Sequence, residues 1–263
     1  MGDRNVVFDD ATVYERFMGR WSRAVGEKFL TWLDPPRGQK WLDVGCGTGA
    51  FSQLIMDQCA PSVLVGVDPA PAQIEYARKA LPQVEFRVGD ALAMPFDNGA
   101  FDIVASALVL HFLPDRAKAF EEMRRVLVSN GMVAGYTWNR TPESTFAPYA
   151  SMARVIKAMG LPLSLSPLIP EAAPEGLRST LDKTGLRDIV IDLIEATQSY
   201  RDFDEYWEIQ TLPFHPIGKT VAGFSDSDRA KLRASMHDAL PPGSDGRISY
   251  SARAIVFRAR NGG

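Results

Sequence analysis

Apolar residues recur at every fourth position from Val13 through Phe17, Trp21, Val25 and Phe29 to Leu33, a spacing that stacks side chains on one face of an α-helix. Residues 11–33 are therefore expected to be helical, and Pro35-Pro36 ends the run. The pattern then changes: residues 40–51 read as strand, tight glycine loop and helix. Further strands are expected at 62–67, 84–88, 101–108 and 132–138, and helices at 50–59, 72–81 and 116–127, with Ser129-Asn130-Gly131 stopping the last of these. Residues 101–108 are apolar without alternation, as in a strand buried on both faces. Residues 186–196 and 247–259 read as two final strands. Strands alternating with helices in this way predict an α/β fold around a doubly wound, mostly parallel sheet.

Two stretches, residues 139–174 and 200–246, fall outside that rhythm. Both are rich in Pro, Met and aromatic residues, and connections that long within one domain carry helices of their own or act as lids. Met152, Ile156 and Met159 fall at helical spacing, as do Phe203, Tyr206, Trp207 and Gln210. Such stripes are more often core than pocket, but a lid must also bury an apolar face. The expected organisation is one domain over residues 1–263, with a helical leader at 1–36, a ligand-binding core at 37–138 and lid insertions at 139–174 and 200–246.

Chemistry concentrates at Gly45-Cys46-Gly47-Thr48-Gly49. Alternate glycines let the backbone take positive φ and let a ligand approach the main chain. A loop at the carboxyl end of the first parallel strand is where open α/β sheets bind nucleotide-like ligands. Gly45-x-Gly47-x-x-Ala50 also fits the loose dinucleotide pattern, which leaves a nicotinamide-dependent oxidoreductase as an alternative. Asp43 separates the two. Beside a pyrophosphate it would face like charge, costing roughly 4 kcal/mol at about 4 Å and an effective dielectric near 20, whereas a cation gains a similar amount. S-adenosylmethionine carries a sulfonium and an ammonium, so Asp43 favours it if its carboxylate points into the site. Asp68 stands about 20 residues past the glycines, where a carboxylate receives the ribose hydroxyls of an adenosine. Before Pro69 it would equally serve as a helix N-cap. Asp90 follows the third strand, where a carboxylate can accept the adenine amine while a backbone N–H meets a ring nitrogen; its plainer reading is a turn residue.

Leu42-Asp43-Val44-Gly45-Cys46-Gly47-Thr48-Gly49 resembles the first motif of class I S-adenosylmethionine-dependent methyltransferases. Val65-Gly66-Val67-Asp68-Pro69 resembles their second-strand acid, Val88-Gly89-Asp90-Ala91 their third-strand acid, and Phe101-Asp102-Ile103-Val104 their fourth strand. Residues 40–138 are most similar to the small-molecule group that includes the quinone-biosynthesis enzymes. The resemblance implies a Rossmann-like, seven-stranded sheet with its last strand antiparallel, S-adenosyl-L-methionine as cofactor, and cofactor contacts at Asp43, Gly45, Cys46, Gly47, Asp68, Pro69, Asp90, Ala91 and Ala107. Residues 14–23 resemble the leader that this group folds over the cofactor. Tyr14, Arg20 or Ser22 would then touch its methionine part, with Arg20 pairing with the carboxylate; the plainer reading is a helix with a solvated basic face. Residues 108–115 leave the fourth strand where the family places the methyl group and acceptor. If the acceptor is weakly acidic, His111 is the first candidate for a base and His215 the second, although His111 also reads as a packed residue at a loop exit. Trp138, Phe203, Trp207 and Phe214 are candidate pocket walls. Asp102 opens the fourth strand at the end away from the site and reads as structural.

Composition narrows the partners. The chain has 263 residues, 46% hydrophobic and 23% charged, enough for a sizeable core. A net charge of -3 gives no overall basic field for nucleic acid. Two cysteines imply neither a disulfide framework nor a metal site, and His111, His215 and His237 lie apart without ligand spacing, so no metal is expected. Residues 103–110 form the longest apolar run, far short of the roughly 20 that span a bilayer, and the N-terminus has no apolar signal region. The expectation is a cytoplasmic monomer or homodimer that methylates a small apolar or aromatic acceptor, acting on neither nucleic acid nor membrane. A further reading is a cofactor-binding regulatory protein that has lost catalysis.

Overall fold

The computed structural model describes residues 19–141, 147–163, 169–213 and 216–262. Helix α1, Arg20–Leu33, buries Trp21, Val25, Phe29 and Leu33, the four-residue stripe legible in the sequence. It stops where Asp34 turns left-handed, at φ 44°, and returns its N–H to the Leu30 carbonyl. The chain then alternates through β1 (Lys40–Val44), α2 (Ala50–Cys59), β2 (Val63–Asp68), α3 (Pro71–Ala80), β3 (Glu85–Val88), β4 (Phe101–Ala107), α4 (Arg116–Val126) and β5 (Leu127–Trp138). After α5 (Ala147–Ala158) and α6 (Pro174–Lys183) come β6 (Leu186–Tyr200), α7 (Phe203–Gln210), α8 (Pro216–Ala222), α9 (Asp226–Ala239) and β7 (Ile248–Asn261). Seven strands form one sheet in the order β3-β2-β1-β4-β5-β7-β6. The first five run parallel, and β7 lies antiparallel between β5 and β6. This is the Rossmann-like sheet with its last strand reversed that the family resemblance implies.

Each face of the sheet carries its own core. Trp41, Ile103 and Ala105 face α1, α2 and α3; Leu42, Val44 and Val104 face α4 and α6. Parallel strands covered on both sides explain the unbroken apolar runs. A third cluster joins Met152 and Ile156 of α5 to Phe203, Tyr206 and Trp207 of α7, Ile217 and Val221 of α8, and Leu232 and Met236 of α9. Its place follows from strand register. Trp138, the last residue of β5, pairs with Ala254, so β7 before Ala254 and β6 after Ile194 run on past the carboxyl ends of the parallel strands. Tyr200 and Ile248, at the tip of that extension, belong to the third cluster. The helices of the two inserted stretches thus gather at the end of the sheet that carries the glycine loop.

Several boundaries differ from expectation. Strand β5 begins at Leu127 rather than 132, because Leu127 pairs with Phe101 before the register shifts. Asn130, with φ 62°, takes up the irregularity there, so the residues read as a helix stop lie inside the strand. Strands β6 and β7 each run past the expected ends. Beyond the sheet they pair with each other: hydroxyls meet on one face, Thr197 with Ser251 at 2.8 Å and Ser199 with Ser249 at 2.7 Å, while Tyr200 and Ile248 are buried on the other.

Candidate active site

Helix α2 is capped by Gly49, and the glycine loop before it is held by hydrogen bonds from the main chain. The N–H groups of Gly45 and Cys46 both donate to the Val67 carbonyl, at 2.7 and 3.1 Å, tying the loop to the end of β2. Gly45 takes φ 74°, and a Cβ there would lie 2.4 Å from a methyl of Val109. Gly47 differs: with φ 53°, nothing among the described residues lies within 4 Å of its Cβ position, so on their side this part of the loop is open. The loop is therefore closed by packing on the β4 side and open at its middle glycine.

Three acids stand at three adjacent strand ends in different environments. Asp68 is half-buried; its Oδ2 accepts the Gly47 N–H at 3.1 Å and its Oδ1 the Ala70 N–H at 2.9 Å. Burial raises its pKa and those two donors oppose the rise. Each oxygen keeps a second lone pair, so the carboxylate can still accept hydroxyls. The N-cap of α3 is Ala70, not Asp68, although Asp68 steers that turn through Ala70. Asp90 is exposed and accepts the Leu92 N–H at 2.9 Å, while Ala91 behind it is buried. Pro69 is exposed. Asp43 has no exposed surface: its Oδ2 takes a 2.6 Å hydrogen bond from the Ser52 hydroxyl of α2, and its buried Oδ1 has no hydrogen-bond partner among the described residues. Burial pushes its pKa up to about 7, the Ser52 hydrogen bond opposing and the charge of Asp68 adding. Asp43 thus lies under the loop rather than on its surface. The buried Cys46 thiol feels it: burial first, then the charges of Asp43 and Asp68, push that thiol far up.

At the end of β4, Ala107 is half-buried and Leu108 adopts φ 60° while donating its N–H to the Tyr136 carbonyl at 2.8 Å. A buried, left-handed leucine is a strained residue of the kind that clusters at functional sites. Val109 packs on Gly45, and a short 3-10 turn, Leu110–Phe112, carries His111. Burial, then the cations Arg140 and Arg116, push the His111 imidazole down to about 4, so it is neutral at pH 7. Arg116 is anchored by the Leu110 carbonyl at 3.0 Å and by Glu171 at 3.4 Å. Asp102, at the opposite end of β4, accepts the Lys40 N–H at 2.8 Å.

Arg20 sits at the start of α1, where it pairs with Glu205 of α7 at 2.8 Å and lies 5.8 Å from the centre of the Tyr200 ring. Of the suggested pocket walls, Trp138 packs edge-on to Trp21 in the sheet core, whereas Phe203 and Trp207 stack on each other in the third cluster. Tyr14, Phe214 and His215 lie outside the described residues. Ser52 and Glu205, the partners of Asp43 and Arg20, carry no sequence signal: they stand 9 and 185 residues away, with no motif linking the pairs.

Sheet order, a glycine loop at the end of β1 and acids at the ends of β1 and β2 define a nucleotide-type binding fold of the Rossmann-like class. The methyltransferase-domain family profile matches residues 42–135. An uncharacterised methyltransferase of Mycobacterium tuberculosis is 30% identical over 173 residues, covering 65% of this chain and 69% of that protein. A demethylmenaquinone methyltransferase of Roseiflexus castenholzii is 30% identical over 176 residues, covering 61% of this chain and 73% of that protein. The solved phosphoethanolamine N-methyltransferase 2 of Haemonchus contortus, in complex with phosphomonomethylethanolamine and S-adenosylhomocysteine, shares the fold at a TM-score of 0.58 and 18% identity, covering 99% of this chain and 60% of that one. The chain belongs to the S-adenosylmethionine-dependent methyltransferase family. Of the two cofactors weighed for the glycine loop, that membership implies S-adenosylmethionine.

Proposed function

We propose that the protein transfers a methyl group from S-adenosylmethionine to a small apolar or aromatic acceptor held between the end of β4, the end of β5 and the inserted helices. The observation that carries this reading is the loop itself, which is open at Gly47 with Asp68 hydrogen-bonded to that glycine and Asp43 buried beneath with an unsatisfied oxygen. These residues fit the cofactor. Asp68 would take the ribose hydroxyls, Asp90 and the main chain at Ala91 the adenine, and Gly45, Cys46, Gly47, Pro69 and Ala107 would line the remainder. Arg20 and, in the leader, Tyr14 are proposed at the methionine end. S-adenosylmethionine supplies an already activated methyl on sulfur, so the chain's own task is alignment and exclusion of water. The inserted helices are proposed as the cover, and Trp138 at the end of β5, with Phe203, Trp207 and Phe214 of the inserted stretches, as pocket walls. His111 is proposed as the proton acceptor for a phenolic or enolic acceptor, with His215 as second candidate; neutral at pH 7, it can take a proton, although its low basicity suits a weakly held one.

The quinone-type relative supports an aromatic acceptor, and we propose a monomer or homodimer working in the cytoplasm without nucleic acid. Titration with S-adenosylhomocysteine tests the cofactor site. Asp68→Ala should weaken binding at least tenfold, since hydrogen bonds to a charged acceptor are worth roughly 1.5 to 3 kcal/mol each. Unchanged binding in a folded Asp68→Ala variant would remove Asp68 from the site. Product formation over quinols, phenols and amines then separates an active enzyme from a cofactor-binding regulator.

A further inference from the structure

Asp43 and Asp68 lie at the same end of adjacent strands, yet their surroundings differ in kind. Asp68 is half-exposed and two backbone N–H groups support its charge. Asp43 is fully buried and is supported by the Ser52 hydroxyl and, more weakly, the Ser52 main-chain N–H, and among the described residues its Oδ1 has no hydrogen-bond partner. Around it are the Ser52 hydroxyl from α2, the like-charged Asp68 from β2 and the neutral Cys46 thiol of the loop. No Lys, Arg or His among the described residues supports its charge. A buried carboxyl supported only by the neutral hydroxyl and main-chain N–H of Ser52, with no cation among the described residues and an acid nearby, favours its neutral form. A cation arriving at the loop reverses that preference.

We infer that Asp43 is a proton-coupled sensor of cofactor charge: its carboxyl is neutral in the free protein, ionises when a cation lies against the glycine loop, and is neutral again once that charge is gone. The inference rests on the cofactor reading above. In the first step the carboxyl O–H bond breaks and the proton leaves to solvent, the electron pair staying on the carboxylate oxygen. Methyl transfer converts the sulfonium to an uncharged thioether, and one proton from solvent restores the carboxyl. The carboxylate thus attracts the sulfonium of the cofactor and relaxes its hold on the product, which has lost that charge and keeps only its zwitterionic amino-acid group. Ser52 is the positioning residue that keeps Oδ2 in place through both states.

The test is isothermal titration calorimetry of the full chain with S-adenosylmethionine and with S-adenosylhomocysteine at pH 7, in phosphate and in Tris. The difference in apparent enthalpy between the buffers counts the protons released. The inference expects a release of several tenths of a proton with S-adenosylmethionine and distinctly less with S-adenosylhomocysteine. In Asp43→Asn the difference between the ligands should vanish, which also subtracts any proton carried by the ligands' own amino groups. Independently, the wild-type preference for S-adenosylmethionine over S-adenosylhomocysteine should grow roughly tenfold between pH 6 and pH 8, the factor expected as a group titrating near 7 ionises. That measurement decides the matter if Asp43→Asn does not fold. Equal proton counts for the two ligands, a pH-independent preference, or a difference that persists in Asp43→Asn would overturn it. Failure of either ligand to bind at all would instead overturn the cofactor reading.

Discussion

Asp43 and His111 have opposite pH signatures, and both can be read as stability. The folded-state pKa of Asp43 is raised to about 7 from an unfolded value near 4, so between those limits the folded chain holds a proton that the unfolded chain has lost. Its contribution is therefore most favourable below about pH 4 and falls as pH rises to about 7. A shift of about three units amounts to roughly 4 kcal/mol of destabilisation at alkaline pH. Asp43→Asn keeps the shape and removes the charge: urea unfolding should show it more stable than wild type at pH 8, with the difference shrinking towards pH 5. A variant equally destabilised at both pH values would mean that the Ser52 contact, not the buried charge, governs the site. His111 runs the other way, its pKa lowered to about 4 from 6.5. The unfolded chain binds more protons between those values, so stability falls on acidification through that window, and His111→Gln should flatten that limb. Residues of this kind were only partly legible. Asp43 and Asp68 announce themselves because glycines and acids sit close in sequence at strand ends. That Asp43 is buried under the loop rather than facing the ligand depends on Ser52 of the following helix, a relation set by how α2 packs on β1.

At the scale of elements, the long edge strand β6 stands out. Val190 and Leu193 are exposed apolar residues on a strand that pairs with β7 alone, a combination that invites another strand. Yet three of its outward main-chain groups are occupied. Alternate residues of a strand point their N–H and C=O to the same edge, and on one such set the Ile189 carbonyl accepts from Arg178 at 3.3 Å, the Leu193 N–H donates to Asp192 at 2.7 Å, and the Glu195 carbonyl accepts from Lys28 at 2.7 Å. Arg178 comes from α6 and Lys28 from α1, so helices on opposite faces of the sheet guard one edge. Replacing both with alanine should leave the fold intact, since single exposed hydrogen bonds contribute about 1 kcal/mol or less, but open the edge. Sedimentation of Lys28→Ala/Arg178→Ala should show concentration-dependent association absent from wild type; a monodisperse double variant would show that the twist and charges of β6 suffice. The sequence announces the strand through its apolar alternation but not its length, because the polar run Thr197-Gln198-Ser199 interrupts the apolar pattern before the buried Tyr200.

The whole molecule divides its apolar interior into two clusters on the sheet and a third among the inserted helices. The first two were legible because crossover helices and buried strands have short-range periods. The third was legible only as stripes, since which face of α5, α7, α8 and α9 meets which is decided by contacts far apart in the chain. Its connection to the sheet is narrow and polar as well as aromatic. Tyr250 packs against both clusters, lies 5.6 Å from the Trp21 ring, accepts from Gln210 at 2.9 Å and donates to Tyr200 at 3.0 Å. Arg20 adds its pair with Glu205, and Gln198 donates to the Arg20 carbonyl at 2.8 Å. A body joined in this way should open on its own before the sheet does, as regions held by fewer buried contacts do. Tyr250→Phe keeps the ring and deletes the hydroxyl, leaving Gln210 with Tyr200 alone, at 3.2 Å. The expected cost is about 1 to 2 kcal/mol, borne by the inserted helices. Native-state hydrogen exchange should then show faster exchange at α7 and α9 with β1 and β4 unchanged, and S-adenosylhomocysteine should restore protection if the inserted helices close over the glycine loop. A uniform loss of protection across sheet and helices would mean instead that the three clusters fold as one cooperative unit, and that any cover over the site moves only with global unfolding.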